Sequence, residues 1–180
     1  MKMLGIVGLP GSGRTTTAEY ISDKGFSYIK LGKIIDDEVV RRGMKPTRES
    51  KARIRQEFID QYGSAAYAVL NLPEIDRLRE EGRDVVIDCL LSWSEYKFLK
   101  KRYMNLVLIG VFSPASTRYQ RLSEAKNLTH DQAKLKDKKM IEEFDMGGPI
   151  VMADVMVLNQ GDLNALYRKI DFVLEEISRP

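Results

Sequence analysis

Cysteine is nearly absent from this 180-residue chain: Cys89 stands alone, and His130 is the single histidine. One cysteine excludes an intrachain disulfide and fits a reducing cytoplasm. Together the two residues supply too few ligands for a structural zinc site. Proline is scarce at 6 residues, and glycine, at 13, shows no fixed period, which excludes collagen-like and mucin-like chains. Long apolar runs are missing. The longest, Leu106 to Phe112, falls far short of the ~20 residues that cross a bilayer. The apolar N-terminal stretch Met3 to Leu9 is cut off by Pro10-Gly11 and Arg14, so it makes a poor signal peptide and no membrane partner is expected. An excess of one charge is also lacking: 29 Lys and Arg stand against 26 Asp and Glu, a net charge of +3. No basic stripe is interleaved with aromatics, so nucleic acid is not an expected partner either.

What is there describes one globular domain. Hydrophobic residues make up 43% and charged residues 31%, in a length of one domain on the usual scale of about 100–200 residues. Five β-rich stretches, at 2–9, 26–31, 84–90, 106–112 and 155–159, alternate with helical ones. The helical stretches lie at 14–24, 33–42, 46–82 (interrupted near Gly63 and Pro73), 92–103, 113–125, 129–144 and 162–178, with 145–149 read as a turn. Continuous rather than alternating apolar strands are those of a sheet buried on both faces, and the alternation with helices makes it parallel. Two charged helical stretches lie outside the minimal alternation. Residues 33–80 are read as an acceptor-binding insertion and 124–150 as a lid, both within a single domain spanning 1–180.

The chemistry concentrates at Gly8-Leu9-Pro10-Gly11-Ser12-Gly13-Arg14-Thr15, followed by Thr16. This is P-loop spacing after a strand and at the opening of a helix. Glycines let the backbone wrap a phosphate, and the helix N-terminus adds partial positive charge. Gly8, Gly11, Ser12, Gly13, Arg14, Thr15 and Thr16 are therefore candidate nucleotide-binding residues, with the Thr15 hydroxyl placed for Mg²⁺. Arg14 stands where Lys is usual; its planar fork suits phosphate binding but follows a transferring phosphoryl group less well than a compact ammonium.

Val85-Val86-Ile87-Asp88 is an apolar strand ending in a carboxylate, a pattern that suits Mg²⁺ or acceptor orientation. Arg118 and Arg121, three apart on one helix face, are candidates to close on nucleotide phosphates. Catalytic roles are assigned to Arg14, Asp88 and Arg121, and metal binding to Thr15 and Asp88. Arg48, Arg53 and Arg55 are candidates to grip an acceptor's phosphate. Cys89 and the Trp93, Tyr96, Leu99 group read as packing residues, and His130 as a helix-start residue.

These motifs, with Tyr62-Gly63, Ser113-Pro114 and Ala153-Asp154, make nearly the whole chain resemble P-loop kinases of the nucleoside-monophosphate-kinase group. The resemblance is greatest to archaeal proteins related to adenylate kinase and dephospho-CoA kinase. It implies a five-stranded parallel sheet in order 2-3-1-4-5, ATP with Mg²⁺, and a small, phosphorylated or hydroxyl-bearing acceptor in a cytoplasmic protein. The chain departs from the family pattern at four places. Arg14 replaces Lys, and Lys33 follows Gly32 where the family has Asp. Cys89-Leu90-Leu91 replaces Gly-Val-Arg, and lid arginines give way to Lys136, Lys138 and Lys139. The expected function is thus an ATP-dependent phosphotransferase, with a non-catalytic or weakly active nucleotide-binding protein of regulatory role as the alternative. A GTPase-like switch ranks last, because no Asn-Lys-x-Asp guanine reader is present.

Overall fold

The computed structural model describes residues 1–90 and 92–178. Strands β1 (Met3–Val7), β2 (Ser27–Lys30), β3 (Val85–Asp88), β4 (Leu106–Phe112) and β5 (Val155–Leu158) form one parallel sheet in the order β2-β3-β1-β4-β5. The helices are α1 (Arg14–Asp23), α2 (Lys33–Arg41), α3 (Arg48–Tyr62), α4 (Ala66–Glu80), α5 (Trp93–Arg102), α6 (Ala115–Lys126), α7 (His130–Glu142), α8 (Gly147–Val151) and α9 (Leu163–Ser178).

The run Met-Leu-Gly-Ile-Val makes β1 the central strand because both of its faces are buried. Met3 and Val7 pack with Val85, Ile87, Leu106 and Leu108 under α2 to α5. Leu4 and Ile6 pack with Val86, Ile109 and Val111 under α1 and α9. Register pairs Ile6 with Asp88 and with Ile109, so the carboxyl ends of β1, β3 and β4 reach one edge. In an open parallel sheet that edge, where the strand order turns back at β1, is the crevice for ligands.

The expected elements are present, with two corrections. Pro73 does not interrupt the helix; it lies inside α4 on its exposed face, where water can take the carbonyl that proline, having no N–H, leaves unsatisfied. The stretch 145–149 is not only a turn, since it leads into the short helix α8. Within 33–80, α4 contributes Ala66, Ala68, Ile75 and Leu78 to the main core, α2 adds Ile35 and Val39, and α3 adds Ile54, so part of this stretch is structural. The capping box expected at Thr129 and Gln132 forms at the start of α7, and His130 opens that helix with its ring edge-on to Tyr119. Tyr96 and Leu99 are buried, and Trp93 stacks on Tyr96.

Candidate functional site

The loop between β1 and α1 is built by tight turns that only glycine holds without strain. Gly11 has φ +81° and Gly13 φ +98°, both in the left-handed region. Space is short as well: a Cβ on Gly11 would lie 2.6 Å from the Arg118 carbonyl oxygen, and one on Gly13 would overlap Asn159 Nδ2. No side chain caps α1, and its first bond runs from the Thr17 N–H to the Gly13 carbonyl. The amides of the first turn are thus left for an external acceptor. Gly13→Val should abolish nucleotide binding in calorimetry through loop strain and the lost Asn159 contact, not through a side chain placed in the phosphate path; unchanged affinity would refute the loop's role.

A cleft of about 400 Å³ opens over this loop. Gly11, Gly13, Arg14, Thr15, Thr16 and Arg121 line it, and so do Lys126 on α6 and Lys136 on α7. Among the described residues no carboxylate lines this cleft. Two candidates contribute from beneath it: Gly8 gives its carbonyl to Arg14 Nη1 at 3.1 Å, and the buried Ser12 gives its carbonyl to Asn159 Nδ2 at 2.8 Å.

Asp88 is fully buried at the floor. Its Oδ2 accepts from Thr15 Oγ1 at 3.1 Å and from the Tyr28 hydroxyl at 2.9 Å. Oδ1 has no hydrogen-bond partner among the described residues and lies 4.0 Å from Arg14 Nε. Burial, and next the neighbouring Asp88 charge, push the Tyr28 phenol well above its ordinary range. Cys89 adopts φ +67°, the position where the resembling family has Gly; a left-handed non-glycine residue there stores roughly 1–2 kcal/mol. Burial pushes its thiol up, with Arg14 as the largest opposing influence, so it is packed rather than reactive.

Two arginines differ from their expected roles. Arg14 turns its guanidinium under the loop: Nη1 reaches the Gly8 carbonyl, Nη2 reaches Cys89 Sγ at 3.2 Å, and Nε faces Asp88. Arg118 is buried, with both Nη atoms on the Asp137 carboxylate at 2.7 and 2.6 Å, Nε on the Ser113 carbonyl and Nη1 also on the Pro10 carbonyl. It holds the loop and α7 together and does not line the cleft. Arg121 keeps an open position, donating at 3.0 Å to Ser113 Oγ and at 3.3 Å to the Asn159 carbonyl.

Arg121, Gly13 and Thr16 also line a side cavity of about 270 Å³ with Asn159, Gly161, Leu163 and Leu166. The two spaces therefore adjoin. Asn159 was not among the sequence candidates. Its signal is its position, a polar residue just past the last strand at the ligand-bearing edge.

A further cavity of about 240 Å³ lies between α3, α4, the start of α5 and the end of the 124–150 stretch. Tyr67, Ser64, Ser92, Ser94, Glu95, Glu143, Phe144 and Asp145 are on its wall. Arg48, Arg53 and Arg55 do not line it. Arg53 pairs with Glu57, and Arg55 donates to the Tyr67 hydroxyl at 2.8 Å and lies over the Phe144 ring. Asp36 and Asp37, near the position where the family carries an acid, pair with Lys51 and Lys33. Leu91, the last of the three residues replacing Gly-Val-Arg, lies outside the described residues.

A family model described as an AAA domain matches residues 4–147. The chain belongs to the AAA domain family. This AAA domain chain is 29% identical over 180 residues to a UPF0200 protein of Thermococcus gammatolerans, covering 97% of this chain and 94% of that one. Among solved structures, TT1252 from Thermus thermophilus superposes with a TM-score of 0.68 at 20% identity, covering 99% of this chain and 98% of that one. Shikimate kinase from Acinetobacter baumannii does so at 0.59 and 16%, covering 98% and 93%. Dephospho-CoA kinase from Campylobacter jejuni gives 0.59 and 14%, covering 99% and 98%. The fold is the P-loop kinase-like fold, and the loop at its sheet edge is that of a nucleotide-binding protein.

Proposed function

We propose that the protein is an ATP-dependent phosphotransferase acting on a small hydroxyl-bearing acceptor. The observation that carries this reading is the cleft over the loop, where Arg121, Lys126 and Lys136 converge with no ion pair and no lining carboxylate among the described residues. Uncompensated cations beside the free amides of a helix N-terminus match a polyphosphate. The adjoining cavity beside Arg121 and Asn159 is placed for the remainder of the nucleotide.

The residues beneath the cleft fit Mg²⁺. Asp88 presents an orphaned, buried Oδ1, and Thr15 adds a hydroxyl on the same carboxylate; a hard cation takes such oxygen donors. When bound, the ion neutralises charge on the transferring phosphoryl group. Asp88 and Thr15 would hold it, the loop amides would orient the phosphates, and Arg121 would balance charge that grows in the transition state.

The serine-rich cavity is the proposed acceptor site, which gives the 33–80 stretch its binding role and the 124–150 stretch its role as a cover. The chain leads from Cys89, which Arg14 touches beneath the donor cleft, to Ser92 on this cavity's wall three residues later. Ser64 and Ser94 and the carboxylates of Glu143 and Asp145, with no Lys or Arg among the described lining residues, favour an uncharged or cationic hydroxyl compound over the phosphorylated acceptor that the resemblance suggested; Glu95 on the same wall is tied to the Ser92 amide. Glu143 is partly offset by Lys139 at 3.2 Å.

The test is calorimetry with Mg-ATP and ADP, followed by transfer assays on polyols, amino alcohols, nucleoside monophosphates and dephospho-CoA, with water as control. Nucleotide binding and phosphorylation of a hydroxyl acceptor are expected. One observation favours a second reading, a nucleotide-binding protein without transfer: the inward turn of Arg14. That reading wins if ADP binds and no acceptor gains phosphate above the water control.

A further inference from the structure

We propose that Lys136, on α7, supplies to the donor's terminal phosphate the mobile ammonium that the loop of this chain lacks. The inference rests on the phosphotransferase reading above and adds a residue to it. A P-loop lysine ordinarily reaches the β- and γ-phosphates. Here the loop position is Arg14, whose two Nη atoms bond below the loop to Gly8 and Cys89 while its Nε faces Asp88 at 4.0 Å. Its fork is committed to the floor of the site, so a compact cation must come from another element if one is to follow the transferring group.

Lys136 meets the requirements. It lines the phosphate cleft beside Arg14, Thr15 and Thr16. It is half-buried and has no ion pair among the described residues. Its sequence neighbours are placed differently: Asp137 is buried against Arg118, while Lys138 and Lys139 are exposed and paired with Glu142 and Glu143. The Arg118–Asp137 pair fixes the rotation of α7, so the residue beside it is turned to the cleft. Burial, and then the charges of Lys126, Arg14, Arg48 and Lys139, hold the Lys136 ammonium below its ordinary range. An anion entering the cleft relieves that repulsion. A terminal phosphate has more charge to offer there than a diphosphate has.

Amine acetylation followed by peptide mass spectrometry tests this on the full chain. Lys136 should react faster than Lys138 and Lys139 near neutral pH. A Mg-bound, non-hydrolysable ATP analogue should slow it at least tenfold and ADP distinctly less, with Lys138 and Lys139 unchanged. In calorimetry, Lys136→Met should weaken the analogue about tenfold and ADP less than threefold. Adding Arg14→Lys to Lys136→Met should recover most of the lost analogue affinity by returning an ammonium to the loop. Circular dichroism on each variant checks that the fold is kept. If the analogue binds the wild type but leaves Lys136 acetylation unchanged, or if Lys136→Met weakens ADP and the analogue equally, the proposal is overturned and the phosphotransferase reading stands. If no nucleotide binds the wild type in calorimetry, that reading falls and this one with it.

Discussion

Asp88→Asn should lower phosphate transfer by at least about 100-fold, some 2.7 kcal/mol of barrier, while ADP affinity changes by less than about threefold. The carboxylate lies under the loop and is fully buried, so a diphosphate held by the amides does not depend on it. Its charge matters where a cation and the transferring group meet. Asparagine keeps the shape and can still accept from Thr15 Oγ1 and the Tyr28 hydroxyl, which both use Oδ2. The Oδ1 position is different: as a carboxylate oxygen it is buried, unpaired and 4.0 Å from Arg14 Nε. A buried charge with an unsatisfied oxygen is held at a cost in stability, which is how functional sites commonly depart from the most stable sequence. The variant should therefore melt no lower than the wild type in the absence of nucleotide. Initial rates, ADP titration and a melting curve on one preparation check all three statements. Transfer at the wild-type rate would move the metal and acceptor roles away from Asp88; a lower melting temperature would show that the carboxylate is structural.

The sheet and the loop were legible in the sequence for local reasons. Strands buried on both faces leave continuous apolar runs such as Leu106 to Phe112, and the loop needs glycine at Gly11 and Gly13 because its own turns take positive φ. What was not legible depends on side chains that meet across long stretches of chain. Arg14 turns inward because Asp88, the last residue of β3, and Cys89 just after it wait beneath it, more than 70 positions later in sequence. Arg118 and Arg121 share a helix face and carry the same chemistry. Only the placement of Asp137 on the next helix separates a structural arginine from one that lines the cleft. The arginines at 48, 53 and 55 looked like phosphate grips by residue type, yet Arg55 is committed to Tyr67 and Phe144. Pro73 read as a break because proline usually ends helices; its exposed position in α4 removes most of the penalty.

Arg118→Ala should destabilise the protein by about 3–5 kcal/mol, the range for breaking a buried ion pair from one side, and lower its melting temperature by on the order of 10 °C. The loss is large because the substitution strands Asp137, a buried carboxylate bonded by both Arg118 Nη atoms, with only the Tyr119 hydroxyl at 2.9 Å left among the described residues to donate to it. It also frees the Pro10 and Ser113 carbonyls that Arg118 holds. Replacing both partners, Arg118→Met with Asp137→Leu, should recover most of the melting temperature, since the cost lies in the unpaired charge rather than in the absence of the bridge. Nucleotide affinity should not recover to the same extent. The Pro10 carbonyl stays unanchored in the double variant, and α7 loses the contact that turns Lys136 toward the cleft. Stability and binding then separate in one pair of proteins: melting curves report the buried charge, and calorimetry reports the position of the loop and of α7. A melting temperature unchanged in Arg118→Ala would mean that Asp137 finds water when its partner is removed, and that α6 and α7 are not locked by this pair. Full recovery of affinity along with stability in the double variant would show that the loop keeps its shape by its glycines and Asn159 alone.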